Sequence, residues 1–317
     1  MKGIIGHDHV LKHFAQLIER KALAHTYLFT GPLSVGKTSV VHHLAQSILC
    51  AKGTGDDACG SCSAHTKGVH PDFSLFDPDV YIDPETEEHP KIIKVEYVQE
   101  ILRWVSMMPS ISALKIQGIV HADRMNTHAA NALLKILEDP PARTIFFLTA
   151  EFPERLPATL RSRAQSFRLL PVAASVLAEA FSERIALVAR GCPGVAHRFS
   201  DDPDIEQYFS ETIQAWIKLL REPMRIFRWL EVEDKNRDFP SFVALGHCVV
   251  HDLFRLHHAR GARVLQSSVD ESALGELLRR YPQERITAMS AACIRALQFL
   301  RTNASPKLII ENLFLSF

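Results

Sequence analysis

The chain has 317 residues, of which 47% are hydrophobic and 23% charged, the balance of a globular protein with enough apolar surface for two or three domains. Its 36 basic and 36 acidic residues cancel, so net charge gives no overall pull toward nucleic acid or an anionic bilayer; any such contact falls to a local patch or a partner. No apolar stretch is long enough to span a membrane, and the amino terminus leads into a polar, His-rich helical pattern instead of a secretion signal, so the expectation is a cytoplasmic protein with no membrane contact.

In chain order, Thr26 to Thr30 predicts a strand, Lys37 to Leu49 a helix and Phe73 to Phe76 a second strand. Asp77 to Pro90, rich in Asp, Glu and Pro, predicts an exposed loop. Val95 to Met107 predicts a helix ended by Pro109, Ile116 to His121 a strand, Asn126 to Glu138 a helix stopped by Pro140-Pro141, and Thr144 to Thr149 a strand. Such alternation implies a parallel sheet covered on both faces. After Pro171 the strand signal fades: Ala173 to Arg190 reads as helical, closed by Gly191-Cys192-Pro193-Gly194. From about Asp204 to Phe317 only amphipathic helices are expected, with breaks near Pro223, Pro240, Gly261, Pro282 and Pro306. The fold class is therefore α/β plus all-α, divided into an α/β domain over 1–170, a helical lid over 171–204 and a helical domain over 205–317.

Gly31-Pro32-Leu33-Ser34-Val35-Gly36-Lys37-Thr38 fits the phosphate-binding pattern G-x-x-x-x-G-K-[ST], and it lies between a strand and a helix as that pattern requires. Gly31 and Gly36 let backbone N–H groups curl around phosphates, and the following helix adds its positive end. Lys37 would reach the outer phosphates and the Thr38 hydroxyl would ligate magnesium, so the motif implies ATP or ADP with Mg²⁺. It does not imply hydrolysis, which also needs an acid at the end of a neighbouring strand. The natural strand ends in Val120-His121, with Asp123 two residues further on. Valine can neither bind magnesium nor take a proton; histidine could take a proton but is a poor substitute beside a cation. The alternative strand, Phe73 to Asp79, supplies Asp77 and Asp79 but no adjacent acidic pair.

Of the six cysteines, Cys50, Cys59 and Cys62 cluster tightly, which in a cytosolic chain suggests a metal site, whereas Cys192, Cys248 and Cys293 are isolated and expected as buried fillers. The histidines mostly stand singly, and Trp104, Trp216 and Trp229 fall on helical patterns as core or interface anchors.

Several runs resemble bacterial clamp-loader subunits: Ala122-Asp123-Arg124-Met125-Asn126, then Ala129 through Leu133-Leu134-Lys135-Ile136-Leu137-Glu138-Asp139-Pro140-Pro141, and Pro153 through Ser162-Arg163. Ile5-Gly6-His7, Ala24 to Phe29 and Asn303 to Glu311 are similar to the same family. The resemblance implies a RecA-like AAA+ domain carrying a zinc module at about 50–70, a small lid and a helical collar. It also implies a hetero-pentamer with motor and wrench subunits that loads a sliding clamp on primer-template DNA. Ser162-Arg163 resembles the family motif whose arginine reaches a neighbour's nucleotide, although Ala164 replaces the usual cysteine. Val195 stands where active relatives carry a nucleotide-sensing arginine, and Thr149 keeps one hydroxyl for the other sensor. Cys50, Cys59 and Cys62 match three zinc ligands, with His65 in fourth place and His70 as its competitor, a closed structural site. Together these features imply a stator-type subunit without turnover of its own; the alternative is a motor subunit using His121 or Asp123.

Overall fold

Strand β1 (Thr26–Thr30) is buried along its whole length, because it lies inside a parallel sheet with a partner on each side. The computed structural model describes residues 4–50, 70–84, 86–181, 185–186, 189–201, 203–233, 239–258, 271–300 and 304–317. With β2 (Phe73–Phe76), β3 (Lys115–Ile119), β4 (Thr144–Ala150) and β5 (Gln165–Arg168), β1 forms a five-stranded sheet in the order β2-β3-β4-β1-β5. The observed pairs are parallel, with Thr30 beside Ala150 and Ile119 beside Leu148.

Side chains alternate across the sheet as the two-residue strand period demands. Tyr27, Phe29, Ile116 and Phe147 enter one core with Phe14 of α1 (Asp8–Glu19) and with Val40, Val41 and Leu44 of α2 (Lys37–Leu49). Phe14 is fully buried, its ring 4.7 Å from Tyr27 and 5.3 Å from Phe167. Leu28, Ile119, Phe146 and Leu148 enter the other core with α3 (Val95–Ser106), α4 (Thr127–Glu138) and α5 (Ala158–Arg163). Asn126 starts α4 from outside the helix, its side-chain oxygen accepting the Ala129 N–H at 2.8 Å.

Three expectations are corrected. β3 stops at Ile119, and His121 turns into the left-handed region at φ 53°, so the Val120-His121 pair lies just past the strand. β5 was not expected, since Gln165-Ser166-Phe167-Arg168 has a single apolar residue and is largely exposed; it forms because β1 offers a free edge. The helix expected over 173–190 is interrupted: α6 (Ala174–Ala180) ends in a bend at Phe181.

The chain divides into two compact units, Met1–Ala180 with Ala189–Val195, and Phe181–Val188 with Ala196–Phe317. Beyond α7 (Pro193–Asp201), the second unit is helical over its described residues: α8 (Pro203–Arg221), α9 (Ile226–Glu233), α10 (Phe239–His258), α11 (Glu271–Arg280), α12 (Gln283–Phe299) and α13 (Pro306–Leu315). Trp216 is the centre of its core, as expected of an anchor. The indole N–H donates to the Phe242 carbonyl at 2.9 Å, and Gly246 lies so close that a Cβ there would fall 1.8 Å from the ring. Cys248 and Cys293 are buried in this unit, as expected.

Candidate functional site

The glycine-rich loop runs from the carboxyl end of β1 into α2. Its backbone holds Gly31 at φ 150°, Ser34 at 60° and Gly36 at 107°. A Cβ on Gly31 would fall 2.4 Å from the Leu169 carbonyl oxygen, so only glycine fits where β5 leaves the sheet beside the loop. Lys37 is buried, and its ammonium donates to the Gly31 and Pro32 carbonyls at 2.8 Å each, curling back over the cradle it serves. No side chain caps α2, which leaves the first helical N–H groups facing the loop. His7 braces the far side, with Nε2 2.9 Å from the Val35 carbonyl.

The turn Gly191 to Val195 sits on this loop, where the Gly194 N–H donates to the Ser34 carbonyl at 2.9 Å. Cys192, expected as a buried filler, is instead half-buried here; burial pushes its thiol up against the opposing pull of the nearby Lys37 and Arg190 charges. Val195 brings no charge to this turn.

The turn after β3 is held by its own side-chain contacts. The His121 N–H donates to the Thr149 hydroxyl oxygen at 3.1 Å, and its ring Nε2 lies 3.2 Å from an Asp79 carboxylate oxygen. Arg124 grips the same carboxylate at 2.5 and 3.3 Å. His121 first, then Arg124, hold Asp79 well below the usual carboxylate range, against a burial effect that works the other way. Asp123 is buried, and one of its oxygens accepts the Glu151 and Phe152 N–H groups at 3.3 and 3.0 Å. His121 is thus paired with Asp79, and one of the two Asp123 oxygens is taken by backbone N–H groups.

Arg163 stands at the opposite edge of the sheet. It is the last residue of α5, just before β5 begins opposite Tyr27. One guanidinium nitrogen donates to the Thr159 carbonyl at 3.2 Å, and the other lies 2.9 Å from Glu138. The guanidinium opens on a hollow of about 590 Å³ lined also by Ala24, His25, Thr26, Leu137 and Pro140, beside the amino end of β1. The phosphate loop leaves the carboxyl end of that strand, whose five residues span roughly 13 Å at 3.3 Å each. Arg163 is thus turned away from its own chain's loop, a separation that the sequence alone did not reveal.

Of the metal-ligand candidates, Cys50 is described: a buried, unbridged thiol at the end of α2. Cys59, Cys62 and His65 lie outside the described residues. His70 is described, with both nitrogens in contact with the protein: Nδ1 accepts the Asp72 N–H at 3.1 Å and Nε2 lies 3.2 Å from the Ser112 hydroxyl. Asp72, fully buried, accepts the N–H groups of Ser110, Ile111 and Ser112 at 2.5, 2.8 and 2.7 Å. Burial alone would raise its carboxyl, but these three donors and the nearby His70 bring it below the ordinary value. This staple holds the loop before β3, whose Met107, Met108 and Ile111 are exposed. No described helix is long and apolar enough to cross a membrane.

A parallel sheet with this loop at the end of β1 and an uncapped helix behind it has the architecture of a P-loop domain. Residues 6–173 match the family described as DNA polymerase III, delta subunit, and the chain belongs to that family. It is 34% identical over 224 residues to the DNA polymerase III subunit delta' of Pseudomonas aeruginosa, covering 66% of this chain and 65% of that one. It is 34% identical over 165 residues to the subunit delta' of Bacillus subtilis, covering 51% of this chain and 47% of that one. A solved DNA polymerase III gamma-subunit-related protein from Thermotoga maritima aligns with a TM-score of 0.49 at 17% identity, covering 96% of this chain and 97% of that chain. The matched region thus spans less than two thirds of the length of either delta' relative.

Proposed function

We propose that this chain is a delta'-type stator of a bacterial clamp loader, helping to open a sliding clamp onto primer-template DNA within a hetero-pentamer of motor and wrench subunits. The observation that carries this reading is the division of labour across one sheet: a phosphate cradle at one end with the nearby Asp79 carboxylate already engaged by His121, and an arginine at the other. Gly31, Gly36, Lys37 and Thr38 would hold ATP or ADP with Mg²⁺, and the nucleotide would stay intact. Val120 cannot ligand a metal, His121 is tied to Asp79, and Asp123 caps the turn after β4. Arg163 would act on the nucleotide of a neighbouring motor subunit, where a forked, always-charged guanidinium suits the charge that builds on a transferring phosphoryl group.

The helices of 205–317 would dock into the collar of the assembly, with 171–204 as the lid. Cys50, Cys59, Cys62 and His65 would hold a structural zinc, for which Cys50 offers a free thiol at the end of α2, while the protein contacts of His70 favour His65 as the fourth ligand. Metal analysis under reducing conditions tests this: about one zinc per chain supports it, and none overturns it.

The functional test is reconstitution of the full clamp loader with variants of this subunit. Arg163→Ala lowers DNA-stimulated ATP turnover of the complex, while Lys37→Ala leaves it nearly unchanged. Robust turnover by the isolated chain would return the reading to a motor subunit.

A further inference from the structure

We infer that Glu138 is a positioning residue for Arg163, holding the guanidinium in the pose offered to phosphate; this rests on the trans-acting reading of Arg163 given above. Glu138 is the last residue of α4 and Arg163 the last residue of α5. Asp139-Pro140-Pro141 follows Glu138 and prevents the helix from continuing. Leu133, Leu137 and Leu160 tie the two helices into one core, so both end residues are carried on fixed backbones. Their side chains meet at 2.9 Å at the mouth of the hollow.

An arginine side chain has large rotamer freedom, and freezing it at the moment of phosphate contact would slow the step it assists. Here two restraints act in advance: Nη1 is held by the Thr159 carbonyl and Nη2 by the Glu138 carboxylate. A guanidinium has five N–H donors in a planar fork, so donors remain for an oxyanion after both contacts are made. The pair is 37% and 54% exposed, which makes it a weak tie in water. A weak tie restricts direction without competing seriously against a polyphosphate. Glu138 therefore steadies the arginine without masking it.

The test uses the reconstituted clamp loader on primed DNA, with kcat and KM for ATP measured separately. Glu138→Ala lowers kcat on the order of 3- to 10-fold and leaves KM unchanged, because orientation is lost and the nucleotide pocket of the neighbour is untouched. Glu138→Gln keeps a side-chain carbonyl acceptor and recovers most of the rate. In an Arg163→Ala background, Glu138→Ala has no further effect, since it acts only through the arginine. An unchanged or raised kcat in Glu138→Ala, where Arg163→Ala is slow, overturns the inference while the arginine reading stands. A further loss in the double variant overturns it as well. A normal kcat in Arg163→Ala removes the arginine reading and this inference with it. Both positions are at least partly exposed, so the variants fold, which thermal melting of the free chain verifies.

Discussion

The two edges of the sheet are built from the same strands but differ in what fixes them. At the carboxyl edge, backbone geometry dominates: positive φ at Gly31, Ser34 and Gly36, an uncapped α2, and Lys37 folded onto loop carbonyls. At the amino edge, side chains dominate: Arg163 against Glu138, and Asp72 under the loop before β3. Backbone geometry is slow to change by single substitutions, whereas a side-chain device such as Arg163 stands or falls with one residue.

Breaking the amino edge has the largest expected effect. Arg163→Ala should cost the neighbouring site on the order of 10³-fold in turnover within the assembled loader, the scale of a lost arginine finger, measured as single-site ATPase. Next is Asp72→Ala, which strands three backbone N–H groups and should cost about 3 kcal/mol by denaturant unfolding. Its carboxyl sits lower in the folded than in the unfolded chain. The stability it adds is therefore full above the unfolded pKa of about 3.9 and drains away as pH falls through the folded value; an Asp72→Asn variant should lose that part of the acid dependence. At the carboxyl edge, Gly31→Ala should cost about 2 kcal/mol through its clash with Leu169 and its positive φ, read by thermal melting. The smallest effect is His121→Ala, about 1 kcal/mol for a buried imidazole whose carboxylate partner is half exposed, with the Asp79 carboxyl moving up toward its ordinary range in an NMR titration because its strongest partner is gone. If His121→Ala instead abolished activity of the complex, the contrast between the edges would collapse.

Most of this domain was legible in the sequence, because its signals are local. Thr26–Thr30, Lys37–Leu49 and Phe73–Phe76 stand where apolar runs and the Gly-Lys-Thr turn place them. β5 was not legible, since an exposed edge strand with a single phenylalanine carries no alternation; only the open side of β1 recruits it. The bend at Phe181 also escaped notice, as the apolar spacing runs through it unchanged. Within the site, the phosphate loop could be read because its residues are contiguous. The partners that decide its chemistry could not: Asp79 reaches His121 across 42 positions and Glu138 reaches Arg163 across 25, distances over which spacing carries no information.

The half-buried Cys192 has a practical consequence. Among the described cysteines, Cys50, Cys248 and Cys293 are buried, whereas Cys192 lies close enough to Lys37 to feel its charge. A nucleotide filling the cradle would shield that sulfur, so the rate at which a small alkylating reagent labels it becomes a footprint of occupancy. The raised thiol makes labelling slow near neutrality and quicker in mild alkali, where the thiolate forms. If the chain holds nucleotide without turning it over, as proposed, one sulfur atom would report whether its pocket is full.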